Sequence, residues 1–200
     1  GSAVLHGYRS QITVRTAADA LIQFSQGLWG TREEAGLCKQ YVCEHFEAVA
    51  RSEGFLCFTR NLMQELLGSD QLLVREEVAF DAALSWSQAQ VQGASSSSQL
   101  PGALGGGISP LVLSHLVPLL RFIRFPLMSP ENLVLRVLNG KEAVTCPELR
   151  ELATEAVMWQ AVPVHLRDKV KLFKLSPQQC IPRLPHPPTS PTKALRGGGR

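Results

Sequence analysis

Aromatic residues and charges are scarce in this sequence, and no hydrophobic run is long enough to cross a bilayer. Aromatic residues make up 6% and charged residues 18% of the 200 residues, whereas 44% are hydrophobic. Leucine and alanine are abundant and runs of β-branched residues are few, a balance that favours helices over sheet. The most apolar run, Ile108 to Leu120, is interrupted by Ser114, His115 and Pro118, so it is too short and too polar to span a membrane. These absences predict an all-α protein without a membrane segment.

The cysteines lack the even pairing that a disulfide-stabilised protein shows. Their number is odd, and most lie within apolar helical patterns: Cys38, Cys43, Cys57, Cys146 and Cys180. Such thiols are typical of a reducing compartment, where they pack as small hydrophobic groups. The start of the chain has no basic region followed by an apolar one, so no signal peptide is expected. We therefore expect a cytoplasmic or nuclear location.

Signatures of catalysis and of cofactor binding are also missing. There is no Gly-x-Ser-x-Gly elbow and no local cysteine-protease motif. The stretch Gly102 to Gly107 has no strand before it and no P-loop lysine after it, which argues against phosphate binding. Cys38 and Cys43 would point about 140° apart on one helix, and Cys38 with His45 alone leaves a zinc site half built. We expect buried thiols beside a packed histidine, and no catalytic, cofactor-binding or metal-binding residue.

Two close pairs of charged residues could still form a site. Glu76 and Glu77 lie about 100° apart at a predicted helix start, where carboxylates interact favourably with the helix dipole. We interpret them as helix-initiating surface charge. Arg121 and Arg124, one turn apart, would either bind an anion or a partner carboxylate, or form the solvated edge of a helix, which is the commoner case. Neither pair predicts an enzyme.

The centre of the chain, Glu53 to Trp86, predicts two packed helices. We expect Gly68 to end the first helix in a left-handed conformation, and Ser69-Asp70 to favour a turn. An extended link then leads into the second helix. The expected buried positions are Leu62, Met63, Leu66 and Leu67 in the first helix, and Val78, Ala79, Ala82, Ala83 and Trp86 in the second.

The N-terminal part predicts a short strand followed by a helical hairpin. The alternation within Val4 to Val14 indicates the strand. Thr16 is expected to cap the first helix, which a glycine-containing turn ends. Thr31 and Glu34 form the capping box of the second helix, whose apolar positions run to Val49. The short turn makes these two helices antiparallel.

Three features organise the second half. Gln88 to Gly107 is low in complexity and predicts a flexible Ser/Gly-rich insertion within the helical domain. Ser109-Pro110 and Ser129-Pro130 are matched helix starts, with Ser at the cap and Pro at the first helical position. Thr145 with Glu148 predicts a further helix start. The expected buried positions of these helices are Leu113, Leu116, Val117, Leu120, Leu133, Val134, Val137, Leu138, Leu149, Leu152, Ala153 and Ala156.

The end of the chain is basic and rich in proline. Residues 1–164 carry 12 basic and 16 acidic residues, a net charge of −4, whereas residues 165–200 carry 8 basic and 1 acidic, a net charge of +7. The basic residues are spread out with no aromatic platform beside them, which argues against nucleic-acid binding. Pro182 to Pro185 fits a PxxP adaptor ligand, a pattern that arises easily by chance. We expect residues 169–200 to be a disordered tail.

Four segments, taken in order, resemble the BACK domain of the BTB-kelch family. Cys38 to Leu56 is similar to the family's helix with a late His-Phe, a Val and a Phe-Leu pair. Leu62 to Trp86 resembles its core of a Leu-Leu pair, Ser-Asp, Leu-x-Val, Glu and a helix ending in Trp. Leu116 to Leu138 resembles its Arg-x-Pro-Leu segment, and Cys146 to Asp168 its closing helix. The resemblance implies a BACK-like array of short antiparallel helical pairs over residues 16–168.

The chain also departs from the family pattern. The strand and helix at Gly7 to Leu28 match either the end of a BTB domain or the first BACK helices, and we assign residues 1–15 to the BTB end. The insertion at Gln88 to Gly107 is longer than the family usually shows. No kelch blade is recognised after Asp168.

The resemblance implies a substrate adaptor of a cullin-based ubiquitin ligase, which positions a substrate and needs no catalytic residue. In such proteins the first BACK helices complete a groove, beside the BTB domain, for the cullin N-terminus. The matching helices here lie between Ala17 and Val49, extending toward Leu67. A BTB domain, where present, forms a homodimer, and the substrate is unknown. The alternatives are a helical scaffold with no ubiquitin-ligase role and nucleic-acid binding through the basic tail.

Overall fold

The computed structural model describes residues 12–27, 31–94, 108–169, 171 and 174–183. Within these ranges all regular structure is helical and no strand occurs, which confirms the predicted all-α class. The α-helices are α1 (Val14–Ser25), α2 (Arg32–Glu44), α3 (Phe46–Ala50), α4 (Glu53–Leu56), α5 (Arg60–Gly68), α6 (Glu76–Ala94), α7 (Pro110–Leu120), α8 (Pro130–Asn132), α9 (Lys141–Thr145) and α10 (Pro147–Ala161). Short 3-10 turns lie at Phe125–Leu127, Val164–Lys169 and Pro177–Cys180. No helix in the described ranges combines the length and apolarity needed to cross a membrane.

Helix α1 begins earlier than the sequence predicted. Thr13, not Thr16, is its N-cap: the Thr16 N–H donates to Thr13 Oγ1, and the Thr13 N–H donates to Thr16 Oγ1 at 2.8 Å. This reciprocal pair satisfies the N–H groups of Thr13 and Thr16, which have no partner within the helix at its first turn. The predicted strand is therefore wrong at its C-terminal end, and its residues up to 11 lie outside the described part.

Helices α1 and α2 form the predicted hairpin. Gly27 has a φ of 68°, a left-handed conformation that favours glycine, and it follows Gln26, the C-cap of α1. Thr31 caps α2 and Glu34 returns the capping-box contact, its Oε2 accepting from the Thr31 N–H at 2.8 Å. The N-terminal boundary of α2 is thus confirmed.

Two predicted helices are each divided by a break. The apolar stripe ending at Val49 is split at His45 into α2 and α3. The helix predicted from Glu53 onward is split into α4 and α5, because a turn at Cys57 ends α4 and Thr59, in extended conformation, caps α5. Helical spacing continues across both breaks, which is why the pattern alone did not show them.

Gly68 has a packing role rather than the predicted left-handed conformation. It is the last residue of α5, and the C-cap is Ser69 in extended conformation. A Cβ built on Gly68 would lie 3.1 Å from Cδ1 of Phe122. The absence of a side chain therefore lets α5 approach the turn after α7.

Helix α6 is the longest helix described, and it crosses the centre of the core. Trp86 is buried, and its Nε1–H donates to the Phe58 carbonyl at 2.9 Å. The helix continues to Ala94, so the predicted flexible insertion is helical from Gln88 to Ala94. Gln90 supports this extension by donating to the Leu56 carbonyl at 2.8 Å. The remainder of the insertion, residues 95–107, lies outside the described part.

The second half confirms both Ser-Pro helix starts. Ser109 caps α7 and Ser129 caps α8, each with Pro at the first position. Helix α8 continues into a π-helical segment, Leu133–Leu138, which ends before Asn139-Gly140 as predicted. The predicted start at Thr145 is wrong, because Thr145 ends α9 and α10 begins at Pro147 after Cys146. The predicted stripe of α10, Leu149, Leu152, Ala153 and Ala156, is buried.

The C-terminal segment 174–183 packs against the helices, which corrects the prediction that residues 169–200 form a disordered tail. Leu175 is buried and belongs to the same apolar cluster as Ala17 of α1. Arg183 forms an ion pair with Glu76 of α6. The residues that follow, 184–200, lie outside the described part.

Candidate protein-interaction surface

Helices α1 to α4 form a surface that packs on the core on its inner side and carries a solvent-exposed cleft on its outer side. Ala17, Ala18 and Leu21 of α1 are buried against the following helices. Gly54 allows α4 to approach, since a Cβ there would lie 3.1 Å from the Ala18 Cβ. Small residues therefore hold α1 and α4 close together.

A cleft of about 380 Å³ opens where α1 meets the start of α4. It is lined by Arg15, Ala18, Asp19, Ser52, Glu53 and Gly54. Arg15, Asp19 and Glu53 are exposed at its rim, whereas its floor is the alanine–glycine contact. A small-residue floor with charges of both signs around it suits a polar segment of another protein, which can pack closely and pair its charges at the rim.

The residues considered for metal binding do not come together. Cys38 and Cys43 are buried, while His45 is exposed and stacks on Tyr41 with ring centroids 4.2 Å apart. Burial raises the pKa of the Cys43 thiol, which favours the protonated form over the thiolate that metals bind. Among the described residues no group of three potential ligands is close enough to hold a metal ion. Gly102 to Gly107, considered for phosphate binding, lie outside the described part.

The sequence predicts that Glu76 and Glu77 are surface charge, and the structure shows that this is wrong for Glu76. Glu76 is only 5% exposed, and both its carboxylate oxygens accept from Arg183. Glu77 Oε1 accepts from the Ser129 N–H at 3.1 Å and from Asn132 Nδ2 at 2.9 Å. Burial opposes ionisation of Glu77, but these hydrogen bonds outweigh it and lower its pKa. The two carboxylates therefore join α6 to two different parts of the fold.

Arg121 and Arg124 also have separate roles, and the solvated-edge interpretation is wrong for Arg124. Arg124 is 2% exposed; its guanidinium pairs with Asp70 and donates to the Ile181 carbonyl at 2.6 Å. Arg121 is exposed, with its guanidinium carbon 4.6 Å from the centre of the Phe122 ring. The carboxylate partner that the sequence analysis considered for these arginines is, for Arg124, Asp70 of the same chain.

Two ion pairs, Arg124–Asp70 and Arg183–Glu76, lie close together, and only Asp70 among their members is half-exposed. The sequence predicts only a turn at Asp70 and a disordered tail at Arg183. Neither carries a local signal, because their partners are 54 and 107 residues away in the sequence. The apolar Leu175 between basic residues was the available hint that the tail starts with a packed segment.

Comparison with protein-family models finds a match over the N-terminal and central helices. Residues 23–100 match the BACK model, described as "BTB And C-terminal Kelch". The matched range runs from within α1 past the end of α6, and it contains two of the segments that resembled BACK, Cys38 to Leu56 and Leu62 to Trp86. No solved structure matches the chain.

Proposed function

We propose that this chain carries the BACK domain of a kelch-like protein, because residues 23–100 match the BACK model. BACK domains occur in BTB-kelch proteins that act as cullin adaptors. Their general role is that of an adaptor or scaffold. The finer proposal is that this chain is part of a substrate adaptor for a cullin-based ubiquitin ligase.

The observation that carries the proposal is the open cleft between α1 and α4. These helices lie at the start of the domain, where a preceding BTB domain and a cullin would meet in the family arrangement. The rim charges Arg15, Asp19 and Glu53 give the cleft a polar edge that can select a partner by charge. The small-residue floor lets a partner backbone approach closely.

In this proposal the chain acts by position alone. The cullin binds the α1–α4 surface together with a BTB domain, and a BTB homodimer would present two such surfaces. The substrate, which is unknown, is held elsewhere on the protein and brought near the transferring enzyme. Ubiquitin transfer is then faster because the substrate is held at a high local concentration beside the transferring enzyme. We place this assembly in the cytoplasm or nucleus.

The test is a calorimetric titration of the chain, with its native BTB portion present, against a cullin N-terminal domain. The Asp19→Lys variant reverses a rim charge without touching the core, and Glu131→Lys makes the same charge change on exposed α8. We expect submicromolar binding by the parent and by Glu131→Lys, and binding weaker by at least about tenfold for Asp19→Lys.

Failure of the folded dimer to bind a cullin would leave the helical scaffold as the leading function. The nucleic-acid alternative is weakened by one observation: Arg183, a cation of the basic tail, is already paired with Glu76. A steep salt dependence of nucleic-acid binding, lost on deleting residues 184–200, would support that alternative.

A further inference from the structure

Residues 174–183 lie on the helical body in the manner of a bound peptide. Three side chains at four-residue intervals point inward: Leu175 and Gln179 are buried, and the Arg183 side chain is 7% exposed. Pro177, Gln178 and Pro182 between them are exposed, and Ile181 is 51% exposed. These three side chains anchor the segment, and two further hydrogen bonds support them: Arg124 Nη1 donates to the Ile181 carbonyl at 2.6 Å, and Gln178 Nε2 donates to Asp70 Oδ1 at 2.9 Å.

The Arg183 anchor occupies a pocket that is specific for a guanidinium group. Arg183 Nε donates to Glu76 Oε1 at 2.7 Å, and Nη2 donates to Glu76 Oε2 at 3.1 Å. Nη1 donates to the carbonyls of Leu67 at 2.9 Å and Ser69 at 2.6 Å. A planar fork makes all four contacts at once, whereas a lysine ammonium has neither the shape nor enough donors.

The rest of the segment is held by the amide side chain of Gln179 and by two of its own backbone N–H groups. Gln179 Nε2 donates to the carbonyls of Leu120 at 3.3 Å and Ile123 at 2.8 Å. Glu155 of α10 accepts from the backbone N–H groups of Lys174 at 3.0 Å and Leu175 at 3.1 Å. Contacts of this kind, to backbone groups and to single side chains, hold a peptide on a receptor surface.

Most contacts between the segment and the helices are polar, so the segment can detach while the helices stay folded. Leu175 is the one residue from 174 to 183 that belongs to the apolar core cluster, and segments with few apolar contacts open at lower cost than the whole domain. Opening removes the Arg183 hydrogen bonds from Glu76 and from the Leu67 and Ser69 carbonyls, and leaves Glu76 only the Arg124 N–H at 3.0 Å, which is unfavourable while the pocket stays empty. A second arginine from another peptide would restore those hydrogen bonds.

We propose that the surface between the end of α5, the start of α6 and the turn after α7 is a recognition site for arginine-containing peptides. Its ligand is a segment with the pattern Leu-x-x-x-Gln-x-x-x-Arg that forms a 3-10 turn before and at the glutamine, and residues 175–183 occupy the site in cis. A partner protein that carries this pattern displaces the chain's own segment. The site is separate from the α1–α4 surface, so it does not depend on cullin binding.

The test uses the full-length chain and a fluorescein-labelled synthetic peptide with the sequence of residues 174–184, under reducing conditions. Fluorescence anisotropy is measured with the parent chain and with the Arg183→Ala chain, whose own anchor is removed. We expect the Arg183→Ala chain to bind the peptide at least about tenfold more tightly than the parent, because the cis competitor is weakened. A peptide with lysine in place of its arginine should bind that chain at least about tenfold more weakly.

Arg51→Ala, which removes an exposed arginine of the surface pair with Glu47, is the matched control and should behave as the parent. Circular dichroism checks that each chain is folded. If Arg183→Ala does not fold, hydrogen exchange on the parent chain replaces it: excess free peptide should accelerate exchange of the Lys174, Leu175 and Ser176 amides. The proposal is overturned if a folded Arg183→Ala chain does not bind the peptide or binds the arginine and lysine peptides equally. Unchanged exchange of these amides in the parent chain with excess peptide also overturns it.

Discussion

The guanidinium of Arg183 donates hydrogen bonds to both carboxylate oxygens of Glu76, although 107 residues separate the two in the sequence. Both side chains are almost completely buried, at 7% and 5% exposure. The pair joins the C-terminal segment to the start of α6, which lies inside the matched BACK region. The segment after α10 is thereby part of the folded domain.

This pair predicts a large and coupled loss of stability on mutation. Removing one partner of a buried ion pair leaves an uncompensated charge, so Glu76→Ala or Arg183→Ala should each lower the free energy of unfolding by about 3–5 kcal/mol. The double variant should lose much less than the sum of the two. Urea denaturation of the four chains measures the coupling. The exposed Lys39–Glu65 pair is the control, with a coupling of about 0–1 kcal/mol; equal couplings would contradict the burial argument.

Gly68 predicts a steric effect at the α5 contact. In Gly68→Ala the new Cβ would meet the Phe122 ring at 3.1 Å, and overpacking of this kind costs about 1–3 kcal/mol. Gly36 in α2 has nothing within 4 Å of its Cβ position, so Gly36→Ala should gain up to about 1 kcal/mol from helix propensity. Thermal unfolding of both variants checks the opposite signs. A shift of the same sign in both would show that Gly68 is not in tight contact.

Acid should remove stability that Asp70 and Glu77 supply. The hydrogen bond and charge of Arg124 lower the pKa of Asp70, and the hydrogen bonds to Glu77 lower its pKa in spite of burial. Since both folded-state pKa values lie below the unfolded values near 4, this stability is complete above about pH 5 and is lost as the pH falls through the folded pKa values. The free energy of unfolding should fall less steeply below about pH 4 in Asp70→Asn/Glu77→Gln. Parallel pH profiles would contradict the assignment.

The thiols should react with a maleimide in an order set by burial. Cys57 is exposed, whereas Cys38, Cys43 and Cys146 are buried. Burial also raises the pKa of Cys43 and Cys146, which lowers their thiolate fraction. We expect Cys57 to give the fastest phase and the buried thiols to react only as fast as the protein opens. Cys57→Ser should abolish the fast phase, and its persistence would place another thiol at the surface.

Local chemistry in the sequence predicted most of the helical framework. Thr31 with Glu34, Ser109-Pro110 and Ser129-Pro130 set helix starts through contacts within a few residues, and these starts are confirmed. Breaks inside continuous apolar patterns, such as His45, were missed because helical spacing is preserved across them.

The long-range polar contacts could not be predicted in the same way. Arg183, Arg124 and Asp70 gain their partners only when the chain is folded, and a basic proline-rich composition favours disorder when it is considered alone. The sequence predicts the candidate interaction surface as a helical pair from Ala17 to Val49, extending toward Leu67, a range that includes α4. The cleft itself could not be predicted, because its floor depends on Gly54, a residue with no distinguishing local pattern.

The most direct test of the adaptor proposal is hydrogen exchange of the chain, with its BTB portion, alone and with a saturating cullin N-terminal domain. We expect slower exchange in α1 to α4 on addition of the cullin domain, with α9 and α10 unchanged. Protection confined to α9, α10 or the C-terminal segment, or no protection anywhere, would contradict it.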